Sequence, residues 1–353
     1  MATPNIVPRA DSEGGLGTAS KYWASAYIDT ITTTGNVTVG GAVTATTYNG
    51  IPFFTDAGNK SMYTHDVSGT DNGAAQNTAY GFDALAAITT GDDNTAIGHD
   101  AGQALTQGIQ NTLIGSNAGE NITTGDYNVA VGFEALSTED GNGTNVAIGY
   151  RSLKALNAGA EAYNVAVGYD AGTAVTTGLY NTVLGGEALK TNVDGYKNTA
   201  IGFRALKSFE ADTSGHGENT AVGSNAGENI STGTGNVAIG KSAIGSGVTT
   251  GNDNVALGLG AGLYLTSGSD NILIGSYAGD NLDTGTRNVA IGRSALSAEN
   301  AHGYNVAIGY EALKSQDAGA NAYNTAVGYS AGLAVTTGTN NTIVGGLAGD
   351  AIT

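Results

Sequence analysis

Apolar and polar positions repeat along most of this chain with a period close to 17 residues, which predicts one turn of a solenoid per unit. Asn-x-x-x-Gly begins at Asn77, Asn94, Asn111, Asn128, Asn145, Asn164, Asn181, Asn198, Asn219, Asn236, Asn254, Asn271, Asn288, Asn305, Asn324 and Asn341. Eleven of the fifteen spacings are 17 residues; the others are 18, 19, 19 and 21, with the extra residues late in the unit. With the Asn as position 1, position 2 is Thr, Val or Ile, position 4 is Ile, Val or Leu apart from Tyr80, and position 5 is always Gly. This alternation predicts a short β-strand with positions 2 and 4 facing into the coil and Gly turning the chain at a corner. Position 8 is Ala except at Ser152, and position 9 is Leu in some units (Leu85, Leu136, Leu153) and Gly in others (Gly102, Gly119, Gly172). Such pairing of large and small residues suits a narrow interior. Glycine three residues before the next Asn (Gly91, Gly108, Gly125) predicts a second corner, beside a weaker second strand signal.

The expected fold class is therefore all-β: a parallel, β-roll-like solenoid of sixteen coils of about 17 residues. A helical reading fails on glycine, which occurs 57 times and costs a helix about 1 kcal/mol each. Proline occurs only at positions 4, 8 and 52, so the array has none, as a backbone whose N–H groups all join ladders requires. Pro4, Pro8, Pro52 and the single Trp23 set residues 1–70 apart as an N-terminal attachment region, mostly β and irregular, in which Val37, Val39 and Val43 alternate with small or polar residues. Residues 71–353 form the repeat shaft. Within it 111–190 aligns with 271–350 at a shift of 160, a duplication of several units together. The segments Lys154 to Tyr163, Lys207 to Glu218 and Lys314 to Tyr323 hold the longer insertions and are expected to project from one lateral face.

Charge narrows the partners. Lys and Arg number 13 against 31 Asp and Glu, a formal charge of −18, which repels a phosphate backbone and excludes nucleic acid as a partner. Cysteine is absent, and no run of about 18 apolar residues predicts a membrane span. The first thirty residues lack the apolar run of a signal peptide. Although the chain has 44 charged residues, none falls in positions 1 to 5 of any unit. If positions 2 and 4 point inward, position 3 points out, and there it is almost always Ala. Ala96, Ala130, Ala147, Ala166, Ala200, Ala290 and Ala307 are thus expected to contact other copies, most simply in an intertwined or side-by-side homotrimer.

Candidate chemistry is sparse. The recurring asparagines, Asn94, Asn111, Asn128, Asn145, Asn164 and Asn181 among them, read as an internal ladder from coil to coil. Gly14-Gly15-Leu16-Gly17 lacks the Asp of a calcium-binding repeat, because Ala19 stands there. A glycosidase needs two carboxyl groups at a defined separation. Instead Asp83, Asp100, Glu134, Asp170, Glu187 and Glu311 share position 7 over many coils, a solvated edge and not a catalytic pair. Thr-Thr-Gly at Thr89, Thr123, Thr176, Thr249 and Thr336 is too widely spaced for an ice-binding ladder. His65, His99, His216 and His302 fall at unrelated positions and read as surface residues, so no metal, catalytic or cofactor site is expected. At position 6, Phe133, Tyr150 and Tyr169 occupy consecutive coils, and Tyr310 and Tyr329 repeat the last two; these are the candidates for a glycan contact.

Units such as "NVAIGYEAL", "NTAIGFRAL" and "NVAIGKSAI" resemble the head repeats of trimeric autotransporter adhesins and the shafts of phage tail fibres. Residues Leu16 to Gly41, "LGTASKYWASAYIDTITTTGNVTVGG", are similar to tail-fibre segments that precede or punctuate a shaft. The adhesins carry an export signal and a membrane anchor that this sequence lacks, and their units are shorter. The sequence also ends inside a unit, so a distal tip or chaperone domain is expected beyond it. The resemblance implies a structural, non-enzymatic tail fibre of a virion or of a related contractile injection particle. Its N-terminal region would join a tail or baseplate protein, and its shaft would carry adhesion to a host glycan or protein. A bacterial cell-surface adhesin head and a polysaccharide-degrading tailspike are the alternatives.

Overall fold

The computed structural model describes residues 47–48, 51–52, 54–56, 61–64, 70–141, 143–211 and 216–351. The chain divides into two units, residues 1–45 and 46–353. The first, with Trp23 and the Leu16 to Gly41 stretch, lies outside the described residues, as does most of the expected attachment region. In the second unit, β1 (Thr47–Tyr48) and β2 (Ile51–Pro52) form a short antiparallel ladder. β3 (Phe54–Asp56) pairs antiparallel with β4 (Ser61–Tyr63), which pairs in parallel with β5 (Thr78–Tyr80). The sheet then continues as three-residue strands, one per unit, to β20 (Thr342–Val344), each beside its sequence neighbour.

The result is a parallel sheet of seventeen strands, β4 to β20, forming an all-β solenoid; no helix occurs among the described residues. Register is kept unit by unit, with Val146, Ala147 and Ile148 opposite Val165, Ala166 and Val167. The first rung precedes the expected shaft boundary at residue 71: the Thr64 hydroxyl donates to the Gly81 carbonyl (3.1 Å) and accepts from the Gly81 N–H (3.0 Å).

One expectation is reversed. Ala96, Ala130, Ala147, Ala166, Ala200, Ala290 and Ala307 do not face outward; all are fully buried inside their own coil. Positions 2 and 4 instead face out, as in Val165 and Leu184. The reason is parity. The position 1 Asn is buried, and a strand sends alternate residues to opposite faces, so Asn inside puts position 3 inside and positions 2 and 4 outside.

The Asn side chain lies inside because it completes the backbone bonding of the corner. The Asn94 N–H donates to Asn77 Oδ1 (2.8 Å), and the same relation runs through Asn111, Asn128, Asn145, Asn164 and Asn181 to Asn341. In most coils its amide donates to a carbonyl fourteen residues on, as from Asn94 Nδ2 to Gly108 O (2.8 Å), whereas Asn145 and Asn305 donate to Gly143 and Gly303 two residues back. Both ends of a buried amide are thereby satisfied, which offsets its removal from water.

Each coil has one strand rather than two. Beyond Gly, the residues at positions 7 and 9 hold left-handed backbone even where they carry side chains, as at Asp83 (φ 53°) and Leu85 (φ 56°), and this breaks any second strand. Coil-to-coil bonding persists there: Leu85 N–H donates to Ala101 O (3.1 Å) and Ala87 N–H to Gln103 O (3.0 Å). Position 5 has to be Gly because successive corners nearly touch; a Cβ on Gly81 would lie 2.1 Å from the Gly98 carbonyl oxygen.

The core is a set of rows: Asn at position 1, Ala at 3 and 8, Leu or Gly at 9, and a larger residue at 12 such as Leu105, Leu156 or Phe209. The irregular choice at position 9 follows local volume. Where position 3 is Leu113, a Cβ on Gly102 or Gly119 would come within 2.6 or 2.7 Å of its methyl carbons. Leu273 stands in the same relation to Gly262 and Gly279, both at 2.8 Å. Interiors are close-packed, so a large residue in one row demands glycine in the other.

Candidate functional site

The feature of the surface that most needs a partner is the outward face of the sheet. Positions 2 and 4 present Thr, Val, Ile and Leu, with Tyr80 once, in two continuous rows that hold no charge over sixteen coils. Ile97, Ile148, Val165, Leu184, Leu257 and Ile272 are each more than a third exposed. With strands about 4.8 Å apart and residues about 3.3 Å apart, the rows cover roughly 10 by 75 Å, on the order of 750 Å². Position 2 is Thr in eight of the sixteen coils, so the face mixes hydroxyls with methyl groups, yet an uncharged and largely apolar face of that length is unusual on a surface left in water.

Aromatic stacks border this face. Phe133 and Tyr150 stack at 5.5 Å between ring centroids, Tyr150 and Tyr169 at 5.1 Å, and Tyr310 and Tyr329 at 5.3 Å, all within 12° of parallel. The five glycan candidates thus form two separate stacks. Their broad faces, which a sugar ring would use, pack on one another. The inner Tyr150 has a ring on each side and the Arg151 guanidinium 4.9 Å from its centroid. The terminal rings Tyr169 and Tyr329 have a stacking partner on one side and remain more than half exposed.

A second border of this kind escaped the sequence reading. The residue just before the Asn is tyrosine in five coils, Tyr127, Tyr163, Tyr180, Tyr304 and Tyr323, and Tyr163–Tyr180 and Tyr304–Tyr323 stack at 5.9 and 5.0 Å between centroids. The signal was present as a tyrosine row at the unit boundary, hidden because the unit was counted from the Asn.

The acidic position 7 row is an ion-paired edge. Glu187 accepts from Lys190 (3.0 Å) and from Arg204 (2.7 Å), which together hold its carboxyl down to about 2. Lys154 and Arg151 likewise lower Glu134, and Lys314 lowers Glu311. Arg151, Lys154 and Arg204 reach these carboxylates from the next coil, and Lys190 and Lys314 from the same one. The insertions behave as loops: Gly159, Ala160 and Glu161, and Gly319, Ala320 and Asn321, are exposed, whereas residues 212–215 of the third lie outside the described residues.

His302 departs from its surface assignment. It is half-buried, with Nδ1 3.2 Å from Oε1 of Glu299, a carboxylate with no exposed surface. Ligand atoms of Glu299, His302 and Asp317 lie within 4.8 Å of one another, the one such group of three among the described residues. Sequence reasoning missed it because Glu299 occupies a row that is apolar in most coils.

No helix of the described residues is long and apolar enough to cross a membrane. No family model, curated protein or solved structure matches the chain.

Proposed function

We propose that this chain is the shaft of a structural tail fibre of a phage or phage-like particle, assembled as a homotrimer, with the outward sheet face of each copy covered by the others. The observation that carries this reading is the pair of uncharged β-branched rows. Their area of about 750 Å² is close to the roughly 800 Å² that each partner commits to a standard stable interface. A second copy is the natural occupant, because only another array with the same coil spacing matches the rows from end to end. The repeat that builds them adds length by copying the same coil, which supports a structural over a catalytic role. Residues 1–70 would join the fibre to a tail or baseplate protein, and adhesion to a host glycan or protein would follow from holding a distal element away from the particle.

Sedimentation equilibrium on the purified chain tests the assembly. Three-chain mass for the parent and one-chain mass for Ile148→Lys, with the β spectrum retained, are the expected results. A monomeric parent overturns the multi-chain reading. Labelling of purified particles in electron micrographs tests the location, and label confined to bacterial envelopes would favour an adhesin head.

A further inference from the structure

We propose that Glu299, His302 and Asp317 form a binding site for a divalent metal ion of the zinc class. The argument begins with Glu299. It stands at position 12, where other coils bury Leu156, Val175 or Phe209, and it has no exposed surface. A carboxylate there needs compensation for lost hydration. Its partners are the Gln316 amide (3.3 Å), the His302 backbone N–H (3.1 Å) and the His302 ring, none of which carries a fixed positive charge.

The geometry suits a shared ion. Two ligands at about 2.1 Å from one tetrahedral metal lie about 3.4 Å apart, and Glu299 Oε1 and His302 Nδ1 are separated by 3.2 Å. Asp317 is exposed, so its carboxylate is free to turn toward the other two. Asp317 also lines an open groove with Tyr264, Asn281, Asp283 and Asn300, so this ligand is reached from solvent. Gln316 supplies the supporting layer: its Nε2 donates to Asn305 Oδ1 (2.9 Å), and its Oε1 accepts from Asn324 (2.9 Å), fixing the amide that orients Glu299.

The internal duplication provides a second, independent observation. Glu299 corresponds to Glu139, which is also fully buried. The other three members do not match: where the second block has His302, Gln316 and Asp317, the first has Asn142, Leu156 and Asn157. Imidazole, supporting amide and second carboxylate occur together around one of the two buried glutamates.

Titration of the chelator-treated full chain with zinc chloride, followed calorimetrically, should show one tight equivalent and a raised melting temperature. His302→Asn and Asp317→Asn, each the residue of the corresponding place in the first block, should abolish that equivalent while keeping the β spectrum. Cobalt(II) substitution of the parent should give visible bands of a low-symmetry, four- or five-coordinate ion, a readout that needs no variant. Absence of a tight equivalent in the folded parent, or binding unchanged in both variants, would overturn the proposal.

Discussion

Residues 111–190 and 271–350 are two versions of one structure, and what they share differs in kind from what they do not. Leu113 and Leu273 fill the same interior place, and Gly119 and Gly279 make room for them. Tyr150 and Tyr169 stack as Tyr310 and Tyr329 do. By contrast Phe133 has become Arg293, Glu134 has become Ser294 and Tyr127 has become Arg287, all on borders of the outward face or on the ionic edge. Rows enclosed by other coils are held by volume and by buried amides, whereas border rows answer to whatever meets the surface. Interior places change too, as at Ser152 against Ala312 and Leu189 against Gly349, and Leu156 against Gln316 is the one that changed in company with His302 and Asp317.

The largest effect that could break this comparison is a charge placed inside. Ala147→Glu and Ala307→Glu each bury a carboxylate in a coil with no counter-charge built for it, at a cost of several kcal/mol. Both should lose cooperative folding as isolated chains by circular dichroism, and to the same extent. A folded Ala147→Glu monomer would contradict the inward register, and unequal damage would contradict the equivalence of the two interiors.

Next in size is the pairing of rows. Leu113→Ala should cost about 3 kcal/mol through the cavity it leaves. Gly119→Ala should also destabilise, because its Cβ would meet a Leu113 methyl carbon at 2.7 Å. In the double variant the added methyl enters the vacated space, so the two costs should fall short of additivity in denaturant unfolding. Additive costs would mean that the rows do not constrain each other.

A smaller effect concerns acid. Glu187 is held from its ordinary 4.5 down to about 2, so its ion pairs stabilise the fold above pH 4.5 and are lost as pH falls toward 2. The equivalent place in the second block is Leu347, so this loss belongs to the first block alone. Glu187→Gln should lower the melting temperature at pH 6 and leave it equal to the parent's below pH 2; a constant gap would rule out the ionic origin. Least of all, Glu134→Ser copies the second block's residue at a partly exposed ion pair with Arg151 and Lys154 and should cost no more than about 1 kcal/mol in thermal unfolding.

Coil number, coil length and strand position were legible in the spacing of Asn and Gly, because both are set by backbone contacts that repeat with every turn. Facing was legible too, although the apolar pattern pointed the wrong way. An inward Asn at position 1 and inward apolar residues at positions 2 and 4 cannot coexist in one strand. Bulk and hydrophobicity suggested that Val and Ile go inside and Ala outside, but this core is too narrow for β-branched side chains in every coil, and the buried amide decides. The Glu299 group was illegible for a different reason. Its members lie at three separate sequence positions, 299, 302 and 317, and only stacking one coil on the next brings the last beside the first two.

The coil-to-coil bonds have a mechanical consequence. Backbone hydrogen bonds in the solenoid run from one turn to the next, so tension along the stack pulls on them nearly lengthwise. Within one junction between turns the bonds share the load, whereas successive junctions bear it in series. Strength under tension is therefore that of the weakest junction and does not fall as turns are added. Copying a block of turns, as between 111–190 and 271–350, lengthens such an object without weakening it.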